Sequence, residues 1–499
     1  MRSVDEVLHF SFFRVSPVRW SEPKSQCSDR LRYQAPHRDT GAAWHPVVDG
    51  AIWDEPVMNL AHAPWYRQVN AQQWRAFLAT FFGWLLDGFD FTIMTFILVD
   101  IQNSFTVDAA LAGALGTVTL LFRLVGGLGA GMMADRWGRK LPLMLSILWF
   151  SLFAFLSGFS TSYAMLFAFR ALFGIGMGGE WAAGMPLALE HWPTRLRGLA
   201  SGLLQGGWYW GYILSALTFS YVYPIFETVP DPFSDSAAST LGWRVMFWTG
   251  VIPALLVLWI RTGVQESPVW LEHRRQLEKR EHAALADRVS VVRLFQSDLL
   301  WVTVQSSLLI SAFMFSYYSI SFWYPTFLRG LGVDPLRYVV GFNAGAVVGI
   351  AFWGRMSEGV LGRRGAVTMA AVIGVAVVPL FLTTSSTFWL LIGAGLMGAT
   401  GGGIWGMAPA YLTERFPTAV RGVGPGLSYH VGAAVGSATP FALGRLQDGG
   451  MTVGGAMAWC IVAAGVLVAG VVWLGPETRG RDFSASDDVS TESQPHRGQ

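Results

Sequence analysis

The chain is poor in charge and almost without cysteine. Only 14% of its 499 residues are Asp, Glu, Lys or Arg, about half the share of an ordinary soluble domain. Its two cysteines, Cys27 and Cys460, lie in very different segments, which excludes a disulfide framework and a cysteine metal cluster. No GxxxxGK[ST] loop occurs, so ATP is not expected to supply energy. No nucleophile constellation or metal-ligand spacing is present either, so the reading is not an enzyme, with no cofactor and no metal. Residues 1–57 lack the basic region, apolar core and cleavage site of a signal peptide.

What the chain does have is apolar surface. It is 52% hydrophobic, and its long apolar runs reach the roughly 20 residues needed to cross a bilayer. Twelve spans are predicted, at about 76–100, 109–133, 141–159, 163–189, 199–221 and 243–261, then about 299–322, 338–356, 366–383, 388–412, 424–443 and 454–474. The segments divide as a tail 1–70, a bundle 71–261, a charged linker 262–298, a second bundle 299–476 and a Ser/Asp/Gln-rich disordered tail 477–499. Met58 opens text that runs into the first span. Residues 1–57 therefore read either as an overlong gene start or as a cytoplasmic tail.

Lys and Arg sort by side. Arg136, Arg139, Lys140, Arg195, Arg197, Arg274, Arg275, Lys279, Arg280, Arg363, Arg364, Arg415 and Arg421 fall in one set of loops. The other set holds little beyond Arg329, Arg337 and Arg445, and its loop 222–242 has neither Lys nor Arg. Positive charge stays inside, so the termini and linker are expected in the cytoplasm of a multi-pass protein of the cell membrane.

The chain also repeats. GMMADRWGRK (Gly131–Lys140) returns as GRMSEGVLGRR (Gly354–Arg364). Glu190, Pro193, Arg197 and Gly198 return as Glu414, Pro417, Arg421 and Gly422, each at an offset of 224. Two copies of one membrane unit form the plan of a secondary transporter. Gly131, Asp135, Gly138 and Arg139, with Glu358 in the second copy, are expected to form a latch between the halves. Glu190 with Arg197, and Glu414 with Arg421, are expected to brace neighbouring spans.

These loops, with ESPVWL (Glu266–Leu271) and PETRG (Pro476–Gly480), resemble the signatures of the major facilitator superfamily over roughly residues 60–480. The resemblance implies an all-α membrane fold of twelve helices in two six-helix bundles about a pseudo-two-fold axis. PWYRQVNAQQWRAF with GWLLDGFDF (Gly83–Phe91), Arg170 through GIGMGGEW to EHWPTRLRG, and GWRVMFWTGVIP (Gly242–Pro253) resemble the sialate/lactate proton-symporter branch. The neighbouring aromatic-acid proton symporters share the Asp-Gly-x-Asp pattern. Fungal lactate permeases carry a polar His/Ser/Gln/Asp cluster before a Tyr-Pro-Thr. Here Tyr324-Pro325-Thr326 follows Tyr317, Tyr318, Ser319, Ile320, Ser321, Phe322 and Trp323, which leaves room for a larger or more apolar acid.

An ionisable group at the bilayer centre costs about 2.5–3.5 kcal/mol on insertion scales, so each one in a span is a functional expectation. Asp87 and Asp90, at i and i+3, share a helix face and are the expected proton sites, with Glu180 a third. Arg123 is their expected counter-ion or the fork for a substrate carboxylate, and Arg170 is a second anion contact. Arg170 and Glu180 are about 15 Å apart along one helix and about 80° around it, so they do not pair with each other. Tyr317, Tyr318, Asn343, Trp405 and His430 are expected to line the cavity from the second half. A permanent ion pair, a kink cap at Gly88 or plain packing are the alternatives. Gly174, Gly176 and Gly179 make a GxGxxG inside an apolar span, where it serves helix packing rather than a nucleotide.

The expected function is proton symport of a small organic anion such as lactate, pyruvate or sialic acid by a monomer in the lipid bilayer, with no nucleic-acid partner. Aromatic-acid or sugar symport, or a substrate sensor that does not transport, are the alternatives.

Overall fold

The structure, a computed structural model, describes residues 65–193, 196–234, 239–279, 293–384, 386–417, 420 and 423–479. The chain divides into two compact units, Met1–Asn59 and Leu60–Gln499. The first, and with it the expectation for residues 1–57, lies outside the described residues. All that follows concerns the second.

Twelve membrane segments run through this unit, several of them broken. The first half comprises α1 (Ala71–Phe96) continued by α2 (Leu98–Phe105), α3 (Ala109–Trp137), α4 (Lys140–Ser157), α5 (Tyr163–His191), α6 (Arg197–Phe226), and α7 (Gly242–Trp248) continued by α8 (Ala254–Gly263). The second comprises α10 (Ser297–Ser321) continued by α11 (Tyr324–Gly330), α12 (Leu336–Glu358), α13 (Gly362–Leu382), α14 (Thr387–Met397) leading to α15 (Ala408–Arg415), α16 (Val423–Gly436) continued by α17 (Ala438–Asp448), and α18 (Val453–Trp473). Between the halves, α9 (Pro268–Lys279) forms part of the linker. Helices satisfy their own backbone groups, which the hydrocarbon core demands. Nine of the described segments are apolar and long enough by themselves to span. The other three are α5, which carries Arg170, Glu180 and Glu190, the Gly- and Trp-rich α6, and the short pieces α16 and α17.

The breaks follow the sequence. Pro253 stands at the N-cap of α8, and Pro325 at the start of α11. Between α14 and α15 the glycine run Gly401–Gly403 passes through a π-helical turn, Gly398–Gly402, and a 3₁₀ turn, Gly403–Gly406. At its start, α1 is fixed by a capping box in which Asn70 and Gln73 satisfy each other's backbone N–H. Trp65 packs on Trp74 and Trp192, and Val69 is buried, so the described end of the expected 1–70 tail belongs to the packed structure.

In the first half α3 and α4 pack on α5, and α1 packs on α6; in the second, α10 packs on α16 and α18, and α13 packs on α18. Glycine permits the closest of these approaches. A Cβ at Gly174 would collide with Thr119 O, and one at Gly398, its counterpart 224 residues on, with Phe342 O. The halves meet along α3 with α16 and α17, and along α6 with α12.

Contacts between the halves are unequal along the membrane axis. At the end far from the linker, Arg329 of α11 pairs with Asp100 of α2 at 2.8 Å and donates to Phe96 O at 2.7 Å. Tyr223 OH donates to Asp100 at 2.5 Å. The Asp448 carboxylate at the end of α17 accepts the N–H groups of Ala109 and Ala110 at 3.0 Å each, capping α3 of the other half. At the linker end the side-chain hydrogen bonds among the described residues each stay inside one half.

Candidate functional site

Midway along the axis, between the halves, is a cleft of about 410 Å³, its open mouth included. Trp84, Arg123, Gln205, Trp208 and Tyr209 line it from the first half, and Met314, Tyr317, Tyr318, Trp405 and Tyr429 from the second. The lining is aromatic around one cation. The Arg123 guanidinium carbon lies 5.1 Å from the Trp84 ring centre, 5.6 Å from that of Tyr429 and 6.0 Å from that of Trp208. Such contacts hold a desolvated guanidinium by roughly 0.5–2 kcal/mol each without using its N–H groups. Arg123 Nε and Nη2 are buried without a hydrogen-bond partner. The hydroxyls of Tyr318 and Tyr429 also face this arginine.

Behind the lining stands a cluster of buried charge. Asp87, Asp90, Arg123, Arg170 and Glu180 are each at most 1% exposed. The expected single cluster on one face of α1 resolves into two acid–arginine pairings. Asp87 is coupled electrostatically to Arg123, and Asp90 to Arg170. Neither pairing is a closed salt bridge. Both Asp87 oxygens, Asp90 Oδ2 and all three Arg170 nitrogens lack a hydrogen-bond partner. Arg170 instead lies over the Phe173 ring at 3.9 Å and the Phe247 ring at 5.0 Å. Glu180 sits where α5 passes α1, against Gly83, where any Cβ would come within 2.8 Å of its Oε1, and both its oxygens are unpartnered. It is coupled to Asp87 and Arg123, not to a loop arginine.

The three acids and two arginines leave the cluster one negative charge in excess when all are ionised. Charge this buried and this poorly paired costs stability.

Among the second-half residues expected in the cavity, Tyr317, Tyr318 and Trp405 line it. Asn343 and His430 do not, nor does Arg170 of the first half. Asn343 is fully buried and donates to Val339 O of its own helix at 2.7 Å. His430 lies behind Tyr429, against Gly127 and edge-on to Trp181 at 5.4 Å, with both ring nitrogens unpartnered. Trp84, Gln205, Trp208, Tyr209, Met314 and Tyr429 complete the lining. Spacing carried part of the signal: Trp84 stands three residues before Asp87, and Gln205, Trp208 and Tyr209 recur at i, i+3 and i+4. The depth of α6 in the cleft is a tertiary fact that no local pattern holds.

Among the described residues, the repeated loops build one assembly within each half. Glu190 pairs with Arg139 at 3.4 Å and accepts from Ser267 Oγ. Glu266 accepts the N–H of Arg139 at 2.8 Å and that of Lys140, capping α4. In the second half, Glu414 pairs with Arg363 at 2.8 Å and accepts from Thr478 Oγ1 at 2.6 Å, while Glu477 accepts the N–H groups of Arg363 and Arg364, capping α13. Each assembly ties three segments of its own half together. Of the partners expected for Glu190 and Glu414, the Arg197 side chain and Arg421 lie outside the described residues, as does the side chain of Asp135. Glu358 is exposed and takes no part in the second assembly, and a Cβ at Gly131 would meet nothing within 4 Å.

Gly138 (φ 95°) and Gly362 (φ 65°) turn the chain in the left-handed region, and a Cβ there would strike Glu266 or Glu477. Partial burial acts to raise the Glu477 carboxyl, but hydrogen bonds from the backbone of Arg363, Arg479, Arg364 and Thr478 outweigh it and hold the group below its ordinary range. Residues 477–479, expected in the tail, are therefore part of the second-half assembly.

Comparison with known proteins agrees with this architecture. Residues 80–440 match the family model described as Major Facilitator Superfamily. The chain is 33% identical over 421 residues to a probable 4-methylmuconolactone transporter of Cupriavidus pinatubonensis, covering 83% of this chain and 93% of that protein. It is 32% identical over 383 residues to the sialic acid transporter NanX of Escherichia coli, covering 75% and 88%. It is 28% identical over 417 residues to a cis,cis-muconate transport protein of Acinetobacter baylyi, covering 81% and 94%. Among solved structures, a D-xylose-proton symporter superposes with a TM-score of 0.64 at 21% identity, over 82% of this chain and 100% of that one.

Proposed function

Because the chain belongs to the major facilitator superfamily and is a multi-pass membrane transporter, not an enzyme, we propose that it is a proton-coupled symporter of small organic carboxylates, with a planar, conjugated or aromatic acid as its substrate. The observation that carries this reading is Arg123. Its guanidinium stands at the cleft, held by three aromatic faces, with unpartnered N–H groups and an unbonded carboxylate, Asp87, as its nearest acidic neighbour. A carboxylate substrate takes the fork of Arg123, and a flat apolar body stacks among Trp84, Trp208, Tyr318 and Tyr429.

The three acids supply the coupling. Bringing an anion to this dry cluster is costly while its carboxyls are ionised, and a carboxyl that takes up a proton offsets that cost. Protonation of Asp87 releases Arg123 for the substrate, and loss of the proton draws the arginine back. Asp90 with Arg170 is a second pair of the same kind, and Glu180 extends the acid series along α5. For a monocarboxylate and one proton the step is electroneutral, so the pH gradient drives accumulation.

The halves rock about the cleft. With the basic loops inside, the linker end is cytoplasmic. The Asp100–Arg329 pair and the Asp448 cap then close the outer face.

Two of the relatives above carry a muconate or a muconolactone, which favours the conjugated acid over lactate or pyruvate. Sialic acid is the second reading, on the strength of the relative that transports it. Uptake into proteoliposomes with and without an inward-acid pH gradient tests the proposal. Gradient-driven accumulation of cis,cis-muconate or a benzoate is expected, in preference to lactate. Uptake indifferent to the gradient, or a preference for lactate, would overturn it.

A further inference from the structure

Helix α6 turns one stripe toward the second half, formed by Gln205, Trp208, Tyr209 and Tyr212 at i, i+3, i+4 and i+7. Three of the four reach a partner there. Trp208 Nε1 donates to Tyr317 OH at 2.6 Å, Tyr209 OH to Gly402 O at 2.9 Å and Tyr212 OH to Ser321 O at 2.8 Å. Gln205, at the linker-side end of the stripe, is the exception. It lines the cleft, and its Oε1 is buried without a hydrogen-bond partner. An amide whose work was structural would be satisfied as its three neighbours are, because a buried unpaired carbonyl is costly.

The other unpartnered polar atoms of the cleft wall are donors, Arg123 Nε and Nη2 and Trp84 Nε1. The donors come from α1 and α3, and the lone buried acceptor from α6. A ligand that satisfies both needs a carboxylate for the donors and a hydrogen-bond donor of its own for Gln205.

We propose that Gln205 is a specificity-determining residue that hydrogen-bonds a hydroxyl carried by the substrate, so that the transporter favours hydroxylated planar carboxylates over their unsubstituted parents. This rests on the carboxylate reading above and narrows it. A hydroxyl suits the site because it donates to Oε1 and can accept from the amide N–H. An acid without it leaves the amide unpaired, which is expected to weaken apparent affinity by about 10- to 100-fold.

The test uses the full chain in proteoliposomes. Apparent affinities for benzoate, 3-hydroxybenzoate and 4-hydroxybenzoate are read by counterflow and by quenching of tryptophan fluorescence, since Trp84, Trp208 and Trp405 line the cleft. The wild type is expected to favour one hydroxybenzoate over benzoate by at least about tenfold. Gln205→Met should abolish that preference, through a loss of affinity for the favoured hydroxybenzoate that exceeds any loss for benzoate. Gln205→Ala, which only shortens the side chain, reads the same ratio should the methionine variant fail to fold. A preference that survives either substitution, or a parallel loss for all three acids, overturns the assignment. A wild type that binds benzoate and both hydroxybenzoates equally overturns the assignment while the carboxylate reading stands. Binding of none of the three, with muconate also refused, overturns both.

Discussion

The two halves share a scaffold and divide the chemistry. The three-segment assembly at the linker end is built twice: Arg139, Glu190, Glu266 and Ser267 in one half, Arg363, Glu414, Glu477 and Thr478 in the other. The buried charges are not repeated. Asp87, Asp90, Arg123, Arg170 and Glu180 belong to the first half, and the second meets them with Tyr317, Tyr318, Trp405 and Tyr429. In the proposed cycle, what is duplicated holds each bundle together as it moves, and what is single binds and couples. A charged site on one wall and an aromatic one on the other also lets a substrate anion touch both halves, which rocking about a central site requires.

The sharpest way to break this division is at its charged side. Asp87→Asn is expected to abolish gradient-driven uptake, at least about 100-fold, while exchange of substrate at equal pH persists at a substantial fraction of wild type. Loss of both modes together would remove Asp87 from the coupling step. Arg123→Lys should weaken carboxylate binding by about tenfold or more, because a point charge does not reproduce the guanidinium fork. Fluorescence titration measures it, and an unchanged affinity would take Arg123 out of the site.

The shared side gives a smaller contrast. Arg363 and Glu414 approach at 2.8 Å with side chains 9% exposed each, whereas Arg139 and Glu190 stand 3.4 Å apart at 16% and 21%. Removing one partner of a well-buried pair costs about 3–5 kcal/mol, and less for a wetter one. Arg363→Ala should therefore lower the melting temperature more than Arg139→Ala, and neither should change the order of preferred substrates. A reversed order of melting temperatures would show the two assemblies to be unequal in some other way.

The mildest expected effect is at the far end. Asp448→Asn keeps the shape of the cap on α3 but removes its charge. Faster labelling of a cysteine placed beside the far-end clasp is expected, by a few fold. Unchanged labelling would mean that the cap does not help to hold that face closed.

The architecture was legible in the chain because it rests on local and periodic signals. Apolar runs of bilayer length give the helices, and the paired loops at one offset give the duplication. The buried acids and arginines were also legible, since charge in an apolar run is conspicuous wherever the fold takes it. Their pairing was not. Asp87 and Asp90 share a face of α1, yet each answers to a different arginine, Arg123 of α3 and Arg170 of α5. Nor were the partners that Glu190 does show, since the turn at Gly138 brings Arg139 to it and the linker brings Ser267.

Composition and periodicity thus determined that this is a duplicated twelve-helix membrane protein with the acids and arginines of its span interiors in the first half, because hydrocarbon imposes the same length and hydrogen-bond rule on every span. The tertiary structure decided which of those groups meet and which aromatic residues enclose Arg123. It also left Gln205 facing the cleft without a partner. These depend on helix rotation and crossing depth, which are set by contacts between residues hundreds of positions apart.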